Sequence, residues 1–123
     1  MSEICISIGS NCGDRAGNVE KAIAWLATQL RCLKESDIYE TPEVYGRGTP
    51  YFNCVAIGET SLSSDEINSL CKEYEVSCGR DAEARLRGEV VIDIDVVIFD
   101  GEVLRPVDFS REFFKIGYDQ IQG

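Results

Sequence analysis

Histidine is absent from this 123-residue chain, and no two of its six cysteines form a C-x-x-C pair. Together these absences disfavour a zinc site, which would have to be assembled from scattered cysteines at 5, 12, 32, 54, 71 and 78. Basic residues are scarce: 12 Lys and Arg stand against 22 Asp and Glu, for a net charge of −10. That balance argues against nucleic acid as the main partner, because a phosphate backbone needs a basic footprint. It leaves room for a small polyphosphate held by a few arginines in one pocket. No apolar run approaches the length of a membrane span. Met1-Ser2-Glu3-Ile4 has no basic n-region and leads straight into a strand-like run, so no signal peptide is expected and a cytoplasmic protein is the default. In that setting the cysteines should be reduced, with Cys5, Cys54 and Cys71 as small core residues.

What is present suits one domain spanning residues 1–123. The chain is 44% hydrophobic and 28% charged, as in ordinary globular proteins, and long enough for a core. No repeat or low-complexity tract interrupts it.

The most hydrophobic run, Val90-Val91-Ile92-Asp93-Ile94-Asp95-Val96-Val97-Ile98-Phe99, is β-branched and reads as a strand. Side chains alternate along a strand. Asp93 and Asp95 therefore share a face, roughly 6–7 Å apart, while Val90, Ile92, Ile94, Val96 and Ile98 form an apolar face opposite. Two like charges side by side cost stability unless a cation lies between them. A hard divalent metal such as Mg²⁺, held by carboxylates and substrate phosphates, meets that need. A strand whose second face simply meets water is the competing reading.

Upstream, alternation predicts a strand over 3–8, then a turn at Gly9-Ser10-Asn11-Cys12-Gly13-Asp14 with Asp14 as a helix N-cap. Val19, Ala22, Ile23, Leu26, Ala27 and Leu30 fall at helical spacing and predict a helix over 15–32, with Trp25 packing at its flank. Strands are expected over 33–40 and 51–59, separated by an irregular loop rich in glycine and proline. Ser63 and Glu66 form a capping box that opens a helix with Ile67, Leu70, Cys71, Tyr74 and Cys78 inward and Gly79 at its end. Residues 80–89 read as a polar loop. Asp100-Gly101 turns into Glu102-Val103-Leu104, and the tail from Phe109 to Ile121 is expected to be partly helical at best. The order βαββαβ is the split βαβ arrangement of ferredoxin-like α+β folds. That arrangement has a four-stranded antiparallel sheet with two helices on one face, and its open face would carry Asp93 and Asp95.

The Gly9-Ser10-Asn11 turn, Thr41-Pro42, Tyr51-x-Asn53, Leu86-Arg87-Gly88 and the Ile-Asp-Ile-Asp-Val-Val-Ile-Phe run occur in an order that resembles the 6-hydroxymethyl-7,8-dihydropterin pyrophosphokinases of folate biosynthesis. The likeness extends from about Ile4 to Val103. It implies transfer of pyrophosphate from ATP to a pterin hydroxymethyl group, with release of AMP. It further implies two Mg²⁺ ions on Asp93 and Asp95. Thr41, Pro42, Val44, Tyr45, Tyr51, Asn53 and Phe113 would lie at the pterin. Glu75, Arg80, Arg85, Arg87 and Arg111 would lie at the nucleotide, with Arg80, Arg85 and Arg87 also serving the transfer. Small molecules are the implied partners; neither nucleic acid nor membrane is, and the oligomeric state stays open. Glu75 is equally readable as a solvated helix charge, Asn53 as a satisfied sheet polar, Tyr51 as a strand-face packing residue, Phe113 as core, and Arg85 and Arg87 as a solvated loop. Val90 stands where the family carries an arginine, and the family's proline-histidine pair has no counterpart. A catalytically degenerate paralogue that binds nucleotide or pterin without turnover is therefore the alternative, and a ligand-free interaction domain a third reading.

Overall fold

A computed structural model describes all residues except 47, 80–82, 84, 85 and 123. The first strand, β1 (Ser2–Ser10), runs through the centre of the sheet. Helix α1 (Arg15–Gln29) follows, and Asp14 caps it by accepting the N–H of Gly17 at 3.1 Å. Next come β2 (Arg31–Glu35), β3 (Tyr39–Thr41), β4 (Tyr51–Thr60) and α2 (Ser64–Ser77). The Ser63/Glu66 capping box is formed at the start of α2. The chain then gives β5 (Asp93–Phe99), β6 (Glu102–Val103), a short helix α3 (Pro106–Phe109) and α4 (Glu112–Gln122).

The result is an α+β fold on an antiparallel sheet ordered β2-β4-β1-β5-β6, with β3 also pairing β4. Six strands replace the expected four, so the ferredoxin-like plan is matched only roughly. One added strand arises because the expected strand over 33–40 is broken. The Ser36 hydroxyl accepts the Val55 N–H at 3.0 Å, and the pairing slips between Glu35↔Ala56 and Tyr39↔Asn53. The other is β6, hairpinned onto β5 through Asp100 and Gly101, both at positive φ.

Helices α1 and α2 pack on one face of the sheet, as expected. Val19, Ala22, Leu26, Ile67 and Cys71 bury against Ile4, Ile6, Ile8, Cys54, Ala56, Ile94 and Val96. Trp25 stacks on Tyr74, with ring centroids 4.4 Å apart, so it is a packing residue. Burial pushes the thiols of Cys5 and Cys71 up to about 12, which fits their place as small core residues.

Two element bounds and one face assignment need correction. The helix over 15–32 stops at Gln29, because Leu30 turns extended and sets its side chain against Gly58. Strand β5 starts at Asp93 rather than Val90. Asn11 holds Val90 outside the ladder, accepting the Val90 N–H at 2.6 Å and donating its own N–H to the Val90 carbonyl at 2.9 Å. A register shift against β1 lets Val97 and Ile98 share a face, so Ile98 leaves the stripe assigned to it and Phe99 takes its place.

The largest correction is the tail. Residues Glu112–Gln122 form a continuous helix, not a partly helical tail. Phe114, Gly117 and Ile121 are buried, and Phe114 and Ile121 pack with Cys5, Val55 and Val97 on the second face. The face expected to be open is thus half covered. Gly117 makes this approach possible, since a Cβ there would lie 2.7 Å from Val55 Cγ2 and 2.8 Å from the Tyr39 hydroxyl. What α4 leaves uncovered is the end of the sheet holding Asp93 and Asp95.

Candidate active site

Sheet pairing assembles the uncovered end. Tyr39 pairs with Asn53, Asn53 with Gly9, and Gly9 with Asp93, so these positions cross the sheet in one row. In the next row Val55 pairs with Ser7, and Ser7 with Asp95. The small residues of β1 between the flanking side chains create the floor of a cavity of about 260 Å³. Ser7, Gly9, Asp93 and Asp95 lie at its base, and Thr41, Pro42, Glu43, Val44, Tyr45, Tyr51 and Asn53 line one side. Arg105, Val107, Asp108, Arg111 and Phe113 line the other. The cavity therefore gathers the metal candidates, all the pterin candidates and Arg111.

The remaining nucleotide candidates are placed differently. Arg87 lines a wide neighbouring groove of about 1050 Å³ together with Asn11, Arg15, Tyr45 and Tyr51, and it pairs with Glu89. Arg80 and Arg85 lie outside the described residues. Glu75 is 2% exposed, which removes the reading as a solvated helix charge. Its carboxylate accepts the Ile94 N–H at 2.8 Å, closing a backbone donor on the outer edge of β5. Asn53 is also buried, donating through Nδ2 to Thr41 Oγ1 at 2.7 Å.

Sequence reasoning missed two cations at the carboxylates. Lys72 reaches from α2 over the edge of β5, its Nζ 3.1 Å from Asp95 Oδ1 and 3.8 Å from Asp93 Oδ1. Burial opposes its charge. The hydrogen bond to Glu75 and the nearby Asp95, Asp93 and Glu75 carboxylates more than offset this and raise its pKa. Arg105 stands 3.9 Å from Asp95 and also pairs with Asp108. Lys72 lies three residues before Glu75, a spacing that joins an ion pair on a helix, and this was its one signal. Arg105 gave none, because the course of the chain after β6 was not legible.

Burial raises the Asp95 carboxyl to about 7, helped by the charge of Asp93 and a hydrogen bond with it, while Lys72 and Arg105 pull the other way. A partly buried pair of carboxylates whose ionisation burial and mutual repulsion oppose is stabilised by a cation. Among the described residues no cluster of three or more His, Cys, Asp or Glu side chains could enclose a metal. Two carboxylates without a third protein ligand suit Mg²⁺, which keeps waters and takes phosphate oxygens in its remaining positions.

Comparison with known proteins identifies relatives of the chain. The family profile described as 7,8-dihydro-6-hydroxymethylpterin-pyrophosphokinase matches residues 5–122. The 2-amino-4-hydroxy-6-hydroxymethyldihydropteridine pyrophosphokinase of Aquifex aeolicus is 33% identical over 125 residues, covering 93% of this chain and 76% of its own length. Its namesake in Methylorubrum extorquens is 32% identical over 121 residues, covering 91% and 76%. The folate synthesis bifunctional protein of Chlamydia muridarum is 40% identical over 106 residues, or 80% of this chain. The chain spans 23% of that bifunctional relative's length. Among the described residues no helix is long and apolar enough to cross a membrane.

Proposed function

The chain belongs to the 7,8-dihydro-6-hydroxymethylpterin-pyrophosphokinase family, and on that premise we propose that it transfers the β,γ-diphosphoryl group of ATP to 6-hydroxymethyl-7,8-dihydropterin. The observation that carries this reading is the placement of Asp93 and Asp95 in the same cavity as Tyr51, Asn53 and Phe113. A polar, flat heterocycle suits a site with aromatic walls and one buried amide that can donate and accept. Asn53 would read the pterin edge, with its orientation set by Thr41. Tyr51 and Phe113 would bound the ring, with Pro42, Val44 and Tyr45 closing the cavity above it.

In the reaction the hydroxymethyl oxygen forms a bond to the β-phosphorus of ATP. The bridge to the α-phosphate breaks, AMP departs with the bridging oxygen, and the hydroxyl proton passes to solvent. Asp93 and Asp95 would hold two Mg²⁺ ions, which supply charge neutralisation and polarise the phosphoryl oxygens when bound. Such a transfer depends on positioning and charge more than on covalent catalysis, so the missing histidine is no obstacle. Arg111 and Arg105, both lining the cavity, would meet phosphate charge, taking over what Val90 cannot supply. Arg80, Arg85 and Arg87 remain candidates for the nucleotide from the 80–89 segment, and Glu75 would act there through Lys72.

The degenerate-paralogue reading is not favoured, because the family profile spans nearly the whole chain and the carboxylate pair is present. The decisive experiment follows AMP release from Mg-ATP with and without 6-hydroxymethyl-7,8-dihydropterin. Pterin-dependent AMP is the expected result. Binding of both ligands with no AMP would reinstate the paralogue.

A further inference from the structure

Lys72 sits among four oxygen atoms. Its Nζ lies 2.8 Å from Glu75 Oε2, 3.0 Å from the Ile94 carbonyl and 3.1 Å from Asp95 Oδ1. An ammonium has three N–H donors, so these three contacts saturate it. Asp93 Oδ1, at 3.8 Å, feels its charge without a hydrogen bond. The lysine is therefore already the cation that the paired carboxylates call for.

We propose that Lys72 is a tethered counterion that holds Asp95 beside Asp93 in the metal-free protein and must let go of them when a divalent ion binds. This rests on the reading that Asp93 and Asp95 take the metal. An Mg²⁺ ion sits about 2.1 Å from a carboxylate oxygen. On Asp95 Oδ1 it would be within about 5 Å of an ammonium that is itself 3.1 Å from the same oxygen. The two cations repel at that range and compete for the same lone pairs. Glu75 on α2 and the Ile94 carbonyl on the outer edge of β5 both lie outside the carboxylate pair, so Lys72 can keep those two bonds while releasing Asp95. Its side chain is 41% exposed, which leaves room for that movement. The consequence is a site with low affinity for a bare divalent ion. Metal enters most readily with the negative charge of a nucleotide, which draws the ion in and offers the displaced ammonium a new partner.

The test is a titration of the nucleotide-free protein with Mn²⁺, following free Mn²⁺ by electron paramagnetic resonance. Wild type, Lys72→Gln, Asp95→Asn and Lys21→Gln are compared. Glutamine keeps an amide donor for Glu75 or Ile94 while removing the charge. Lys21, exposed on α1, controls for net charge alone. Lys72→Gln should tighten Mn²⁺ binding by about two- to fivefold, the upper part of the range for a partly exposed ion pair. Asp95→Asn should abolish binding, and Lys21→Gln should leave it unchanged. If Lys72→Gln unfolds because Glu75 is left buried and charged, the double variant Lys72→Gln/Glu75→Gln removes both charges and should show the same tightening. Wild-type affinity in Lys72→Gln or the double variant, with binding lost in Asp95→Asn, would overturn the counterion role and leave the metal site standing. An equal gain in Lys21→Gln would overturn it too. Binding unaffected by Asp95→Asn would overturn both.

Discussion

Asn53 Nδ2 donates to Thr41 Oγ1 at 2.7 Å, tying a buried amide on β4 to the end of β3. The bond directs the other edge of the amide toward Gly9, where an added Cβ would come within 3.2 Å of Asn53 Oδ1. The absence of a side chain at residue 9 thus gives the amide its space.

Asn53→Ala should weaken binding of 6-hydroxymethyl-7,8-dihydropterin by about 1–3 kcal/mol, through hydrogen bonds lost and ligand groups left unpaired. Thr41→Val, which keeps the shape but frees the amide to turn, should cost less. Calorimetry on both variants checks this. Unchanged affinity in Asn53→Ala would remove the residue from the pterin site while leaving the ATP reading intact.

Helix α4 depends on a close approach that one glycine allows. Besides Val55 and the Tyr39 hydroxyl, a Cβ at Gly117 would meet Ser36 Oγ at 2.9 Å. Tyr39 itself bridges the start of the helix, donating to the Phe113 carbonyl and accepting the Gly117 N–H at 3.1 Å. Gly117→Ala should therefore destabilise the fold by about 1–3 kcal/mol, as overpacking of a tight contact does. Because Phe113 is anchored at the same point, the variant should also lose pterin affinity. Denaturant unfolding and calorimetry together test the coupling. A loss of stability with no change in affinity would show that Phe113 is positioned independently.

The sequence made the central strands, the capping box and the carboxylate pair legible, because each is fixed by local pattern: alternation in β1, β4 and β5, and the Ser63/Glu66 spacing at α2. The sites that resisted reading depend on distant parts of the chain. The bulge that moves Ile98 to the other face depends on pairing with β1. The break at Ser36 depends on a hydroxyl entering the ladder opposite Val55. Helix α4 carries Phe114, Gly117, Tyr118 and Ile121 at helical spacing, yet Gly117 argues against a helix until the contact with Val55 is known. Lys72 was hidden for the same reason, since beyond Glu75 its partners Asp93, Ile94 and Asp95 lie more than twenty residues away on a strand edge.

Arg105 lies 3.9 Å from Asp95 and lines the cavity with Arg111. Removing a cation that meets developing phosphate charge should lower turnover far more than it changes pterin affinity. Arg105→Ala is expected to reduce kcat by at least about tenfold, with the pterin Kd within about twofold of wild type. Steady-state kinetics alongside calorimetry separates the two quantities. An effect confined to pterin affinity would place Arg105 at the pterin and leave the phosphates to Arg111 and the 80–89 segment.

The Asp95 carboxyl, raised by burial and by Asp93 to about 7 from an ordinary value of 3.8, fixes the sign of a pH effect. Between these values the folded protein binds more protons at this site than the unfolded chain does. Stability from this group is therefore present at low pH and falls as pH rises from about 4 through 7. Asp95→Asn removes the titration, so the metal-free variant should match or exceed wild type in Tm near pH 7.5, and the gap should close toward pH 4. Mg²⁺ needs the ionised carboxylate and competes with the proton, so its affinity for wild type should increase with pH up to about 7 and then level off. Thermal melts from pH 4 to 8, with and without Mg-ATP, measure both effects. Asp95→Asn should gain nothing from Mg-ATP beyond what the nucleotide alone provides, and turnover should be lost although the fold is kept. A variant that melts well below wild type at pH 7.5 would show instead that the Asp95–Lys72 bond stabilises the sheet edge more than the buried charge strains it.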